Sequence, residues 1–243
     1  MTNKWLKVAL MAAAIATGTS IKIDAETVLY VPQDDRPVSL QYTVDTAREA
    51  GMTILTPPQN LISGKNYQGQ ADQIMAWVEQ NAGRADVMVL STDTLIYGGL
   101  VDSRKHNIPL STLESRLKRI ESLKARNKNV RIYGFGTVMR SPRASGGGTE
   151  PAYYAEYGPT IFQIAALQDK LDSGSLTQEE TQKLMSLQAS VPVEYLQDWF
   201  DRRQKNMKIN KELIDETRSG VFDYFALGHD DTSQLSQSAL ESR

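Results

Sequence analysis

The chain has 243 residues, a formal net charge of −2 and no cysteine, which excludes disulfides, thiolate metal sites and a lipid-modified cysteine anchor. The mildly acidic balance argues against general nucleic-acid binding. Two histidines, His106 and His229, cannot supply a zinc site of several imidazoles.

The N-terminus carries Lys4 and Lys7, then an alanine-rich apolar run from Val8 to about Gly18 and a polar stretch to Ala25. That run is too short to span a bilayer as a helix. Its layout fits a secretory signal over residues 1–25, cleaved after Ala25, with an ordinary N-terminal helix as the competing reading. Export would put the protein in the periplasm or outside the cell, with no stable membrane anchor after cleavage. Residues 26–243 then form a single α/β domain, a length that buries a real core.

Thr27–Val31 is short and β-rich, the first predicted strand. Pro32 and Pro37 bracket Gln33-Asp-Asp-Arg36 and halt strand and helix alike. Leu40, Val44 and Ala47 recur at helical spacing up to Gly51. Met52–Leu55 is the second strand; a polar loop, residues 63–69, leads to a helix with Ile74, Trp77 and Val78 inward. Asp86–Ser91 is the third strand, followed by Thr92-Asp-Thr-Leu-Ile-Tyr-Gly-Gly-Leu-Val-Asp-Ser-Arg104. Ser111 and Glu114 suggest a capping box for a helix with Leu113, Leu117 and Ile120 inward. Its outer Arg116, Lys118, Arg119 and Lys124 read as a solvated face.

Val130–Tyr133 is the fourth strand, running through Gly134-Phe-Gly136 towards Met139-Arg140, and residues 141–160 read as a loop whose three tyrosines suggest packing over an active face. Residues 161–218 form a helical insertion of three stretches. The second opens on a Thr177–Glu180 capping box, and the third points Leu196, Trp199, Phe200, Leu213 and Ile214 inward. A buried strand at 222–227 follows. The alternation calls for a largely parallel sheet with helical crossovers. Either a partial (β/α)8-type barrel or an open doubly wound sheet satisfies it; as a barrel the chain would be a fragment, truncated at its C-terminus.

Parallel strands send their C-terminal ends to one face, where α/β folds build sites. Asp35, Asp93, Asp230 and Asp231 are the candidate catalytic carboxylates. In such a pair one is kept protonated by burial or a neighbour while the other stays ionised, as sugar hydrolysis requires. Asp34, Arg36, Tyr97, Arg104, Arg140, Glu150 and His229 are the candidate substrate-binding residues, the arginines suited to anionic groups. Two bland readings compete: Asp-Asp-Arg-Pro as a turn closed by its own salt bridge, and Tyr97-Gly98-Gly99 as a close backbone approach. No cofactor is expected, although Asp34, Asp93 and Asp231 could bind Ca²⁺ or Mg²⁺ through oxygen. Gly146-Gly147-Gly148 lacks the phosphate-loop pattern, and no G-x-S-x-G elbow supports serine hydrolysis.

Several motifs, Val31-Pro-Gln-Asp-Asp-Arg-Pro37, Asp93-Thr-Leu-Ile-Tyr-Gly-Gly-Leu100 with Ser103-Arg104, Met139-Arg140 and Glu150-Pro-Ala-Tyr-Tyr154, occur in a characteristic order. With Tyr157-Gly158, Arg202-Arg203 through Asn206 and Asn210, and Ala226-Leu-Gly-His-Asp-Asp231, they resemble domain-of-unknown-function family 4127. The resemblance implies an exported bacterial protein of which this chain is the N-terminal half. It implies no reaction. Beyond Asp231, where the family tends to place a glycine and a basic residue before a glutamate, Ser236 and Ala239 stand here, with Glu241 kept. The expected function is therefore hydrolysis of a small polar, carbohydrate-like substrate, with a non-catalytic solute- or glycan-binding domain, or an inactive truncated family member, as the alternatives.

Overall fold

The computed structural model describes residues 25–144, 147–229 and 233–242. The predicted signal segment, apart from Ala25, lies outside them, as do Asp230 and Asp231. Five strands form one sheet: β1 (Thr27–Val31), β2 (Thr53–Leu55), β3 (Val87–Ser91), β4 (Arg131–Val138) and β5 (Tyr224–His229). Their order is β2-β1-β3-β4-β5, and every pairing is parallel. β2 and β5 are edges, so the sheet is open and doubly wound rather than an arc of a barrel.

Nine α-helices complete the described chain. They are α1 (Gln41–Glu49), α2 (Ala71–Asn81), α3 (Thr92–Tyr97), α4 (Leu100–Lys105), α5 (Leu110–Arg126), α6 (Tyr154–Asp172), α7 (Gln178–Ala189), α8 (Val193–Arg218) and α9 (Gln237–Glu241). One face of the sheet, with Leu29, Val31, Met88, Leu90 and Ile132, packs on α2, α3, α5 and α8. The opposite face, with Val28, Tyr30, Val89 and Tyr133, carries α1 and an apolar hollow of about 280 Å³ beside Val44 and Ala47. A second apolar cluster joins Met139 to Tyr154, Ile164, Leu184 and Trp199, so α6, α7 and the start of α8 have a core of their own.

β4 runs through Gly134-Phe-Gly136 as expected and keeps its pairing to Val138. A Cβ on Gly136 would lie 2.3 Å from Thr92 Oγ1, so the glycine inside the strand marks a close approach. The stretch after β3, to which the sequence assigns no element, forms two short helices, Thr92–Tyr97 and Leu100–Lys105. Several sequence expectations change. α6 begins at Tyr154, ahead of the predicted 161, and carries Pro159 inside it. β5 is an edge strand, which leaves Tyr224 62% exposed instead of buried. On α8, Ile214 is exposed while Trp199 and Leu213 are buried.

The basic face of α5 is paired: Arg116 bonds Asp72, Arg119 bonds Glu79, and Lys124 bonds Asp223. Ser111 does not cap α5, which starts earlier, behind Pro109, with no side-chain cap. Glu114 instead bonds Lys208. The Thr177–Glu180 box is present, with Thr177 Oγ1 accepting from Glu180 N at 3.2 Å and Glu180 Oε2 accepting from Thr177 N at 3.1 Å. Thr177→Ala should lower stability by about 1 kcal/mol, read from urea denaturation; no measurable change would show that α7 stands without its cap.

Candidate functional site

All five strands deliver residues to one cleft of about 400 Å³ at their carboxyl ends. β1 leads into Gln33, Asp34 and Arg36, and the segment after β2 brings Gly64 and Lys65. α4, following β3, presents Leu100, Val101 and Arg104; β4 and its following loop bring Thr137, Arg140 and Thr149, and β5 ends in Gly228 and His229. The cleft opens where the chain leaves β1 towards β2 on one side and β3 on the other, the switch point at which open α/β sheets bind ligands.

Asp34 is 5% exposed. Its carboxylate accepts from Arg36 N at 3.2 Å and from Arg36 Nε at 2.8 Å, and the ion pair closes at 2.7 Å. The turn is thus held by its own salt bridge while it faces the cleft. Pro32 and Pro37 fix its ends, so the aspartate meets the arginine with little freedom to lose.

Asp93 lies in the first turn of α3, 2% exposed. Its Oδ2 accepts from Gln33 Nε2 and Thr137 Oγ1, each at 2.9 Å. Both donors line the cleft, so Asp93 sits behind the wall they form. Burial pushes its carboxyl up to about 6, against the opposing pull of those hydrogen bonds and the Arg104 charge. It therefore changes charge near neutrality.

Arg140 donates from Nε to Glu150 Oε1 at 2.7 Å and from Nη2 to Thr149 Oγ1 at 2.7 Å. Glu150, 3% exposed, thereby fixes one edge of the guanidinium. Arg104 is 4% exposed against the cleft. Of the other expected site residues, Asp35 does not line the cleft and accepts from the Tyr67 hydroxyl. Tyr97 is also set back from it: its ring stacks on His106 at 4.9 Å between centroids, and its buried hydroxyl has no hydrogen-bond partner among the described residues. A Cβ on Gly99 would fall 1.8 Å from Ser63 Oγ, so the glycines beyond Tyr97 serve close backbone approach. His229 stands at the cleft mouth, its Nδ1 3.3 Å from Ser242 Oγ. Asp230 and Asp231 lie outside the described residues. Among those that are described, no group of three or more acidic or histidine side chains could hold a metal ion.

Sequence reasoning missed Lys65, Thr137 and Thr149 as lining residues. Thr137 is hidden because pattern alone does not say which face of the strand its hydroxyl takes, whereas Lys65 sits in a loop that reads as merely polar. The support behind the cleft was also hidden. Arg202 Nε donates to the His106 carbonyl at 2.7 Å, Asn206 Oδ1 lies 2.8 Å from His106 Nε2, and Asn206 Nδ2 donates to the Ser103 carbonyl at 2.8 Å. Burial lowers the His106 imidazole to about 4, so a neutral ring joins α4 to α8.

The motif residues Gln33, Asp34, Arg36, Arg104, Arg140 and His229 thus meet in one place. The profile of the family described as "Protein of unknown function (DUF4127)" matches residues 28–243. The chain belongs to this family. No curated protein and no solved structure matches it. The DUF4127 match starts at the second residue of β1 and runs on past α9, so its span includes both the sheet and the helical insertion.

Proposed function

We propose that this DUF4127 chain is an exported hydrolase acting on a polar, carbohydrate-like substrate in the strand-end cleft. The observation that carries the reading is a polar cleft fed by all five strands, backed by a carboxyl that changes charge near neutrality. In a hydrolase of this kind one carboxyl donates a proton while another stays ionised. Asp93 supplies a proton-holding group behind Gln33 and Thr137, and Asp230 and Asp231, which follow His229 in sequence, are the acid/base candidates. Arg36, Arg104 and Arg140 position the substrate. Export rests on the basic and apolar pattern of residues 1–25; no helix among the described residues is long and apolar enough to cross a membrane.

One observation favours a non-catalytic solute- or glycan-binding domain instead. Asp34 is engaged by Arg36, and Asp93 is held by Gln33 and Thr137 away from the cleft surface. Asp231→Asn separates the two readings on a panel of nitrophenyl glycosides, with binding followed by calorimetry. The hydrolase reading expects a fall in turnover of about 10²-fold or more with affinity largely kept. Binding without turnover in either form of the protein would replace it with the binding-domain reading.

A further inference from the structure

The two edges of the sheet are built differently. β2 has three residues, and Pro57-Pro58 stop the chain soon after it, so it offers little to another strand. β5 has six residues, Tyr224-Phe-Ala-Leu-Gly-His229, with no proline and no lysine. It pairs with β4 residue for residue, from Tyr224 opposite Tyr133 to His229 opposite Val138, without a bulge. None of the usual devices that blunt an edge is there. No described backbone group outside β4 bonds to the main chain of Tyr224, Phe225, Ala226, Leu227 or Gly228. The composition of β5 is nevertheless that of a strand covered on both sides, and its sequence reads as buried. In the structure Tyr224 is exposed and Phe225, Ala226 and Leu227 are only half-buried, whereas β1 and β3, which have a strand on each side, are buried almost throughout. β5 lacks a neighbour.

The order of side chains along β5 suits a second copy of itself. In an antiparallel pairing about a two-fold axis at Ala226, that residue meets its own copy, Phe225 meets Leu227 and Tyr224 meets Gly228. The small alanine leaves room at the axis. The exposed Tyr224 ring lies over a glycine, and Phe225 and Leu227 join apolar surface on the other face. No charged side chain in this stretch faces its like.

We infer that two copies of this chain pair through β5, antiparallel and two-fold symmetric, into one continuous sheet. Gly228 lines the cleft, so Tyr224 of the partner subunit stands at its rim and adds an aromatic face to it. This pairing does not depend on what the cleft binds. A single strand a side makes a small contact, so the assembly is reversible in the micromolar range.

Sedimentation velocity of the whole chain from about 1 to 200 µM tests the pairing. Monomer should give way to dimer across that range and to nothing larger, because a two-fold contact closes on itself. Ala226→Lys sets like charges directly opposite each other and should weaken the dimer about fivefold at low salt, as should Ala226→Glu. Mixing these two variants should restore association, since lysine then faces glutamate. Tyr224→Ser, at an exposed position, removes a contact that the axis repeats and should weaken the dimer about tenfold; it carries the test if a charge variant fails to fold. A chain that stays monomeric throughout overturns the pairing, as does growth beyond the dimer. So does a dimer that Ala226→Lys and Tyr224→Ser leave intact, or a mixture of the two charge variants that does not associate.

Discussion

Replacing Arg203 with methionine should cost about 3–5 kcal/mol of folding stability, because removing one partner strands a buried charge. The Arg203 side chain is 1% exposed and that of Glu241 is 7% exposed. Two 2.7 Å bonds join them, Nε to Oε1 and Nη2 to Oε2. The same guanidinium donates to the Arg140 carbonyl at 2.9 Å and the Met139 carbonyl at 2.6 Å, and it lies 5.1 Å from the centre of the Trp199 ring. One side chain thereby fastens α8, α9 and the end of β4. Without it, Glu241 is left an uncompensated carboxylate, the Arg140 carbonyl loses its donor, and the Met139 carbonyl keeps Ser238 Oγ at 3.0 Å. Adding Glu241→Leu should recover part of the loss, since an apolar pair can replace a buried ion pair, but the Arg140 carbonyl stays unserved. Urea denaturation of both variants checks this. A loss below about 1 kcal/mol for Arg203→Met would show that α9 is not anchored by the pair.

The sheet was legible because β-rich apolar runs alternating with helical spacing admit few topologies. All five strands appear within a few residues of expectation, but the choice between barrel and open sheet was not readable. Strand order depends on where β3 pairs relative to β1, and local pattern does not encode that. The cleft was partly legible for a related reason. Asp34, Arg36, Arg104, Arg140 and His229 could be placed because strand ends converge in any parallel sheet, whereas the set-back positions of Asp35 and Tyr97 depend on side-chain direction in tight turns. Arg203 could be singled out only by resemblance. On a helix rich in charge an arginine reads as solvated, and its partner is Glu241, 38 positions later in the sequence.

Asp93→Asn should make the protein more stable at neutral pH while weakening whatever the cleft does. The carboxyl stands at about 6 in the folded chain against an ordinary 3.8, chiefly because burial disfavours its charge. A carboxyl raised on folding binds its proton more tightly in the folded state. The associated stability is therefore intact below about pH 4 and is lost as pH climbs through about 6. At pH 7.5 the charged form lowers stability by about 3 kcal/mol, since every tenfold difference in proton affinity between the folded and unfolded chain is worth about 1.4 kcal/mol. Asparagine removes that penalty and still offers an oxygen to Gln33 and Thr137, though its amide hydrogens need acceptors of their own, at about 1 kcal/mol. The variant should gain about 1–2 kcal/mol at pH 7.5, and its stability should vary less than the parent's between about pH 4 and 6. Urea denaturation across that range reads both. Stability spent on a buried charge is a mark of a functional group rather than a structural one, so the gain should accompany lost turnover, or lost affinity if the cleft only binds. A variant that is less stable at neutral pH, with the parent's pH profile intact, would mean that Asp93 is a structural acceptor for Gln33 and Thr137 and that the proton-holding role lies elsewhere.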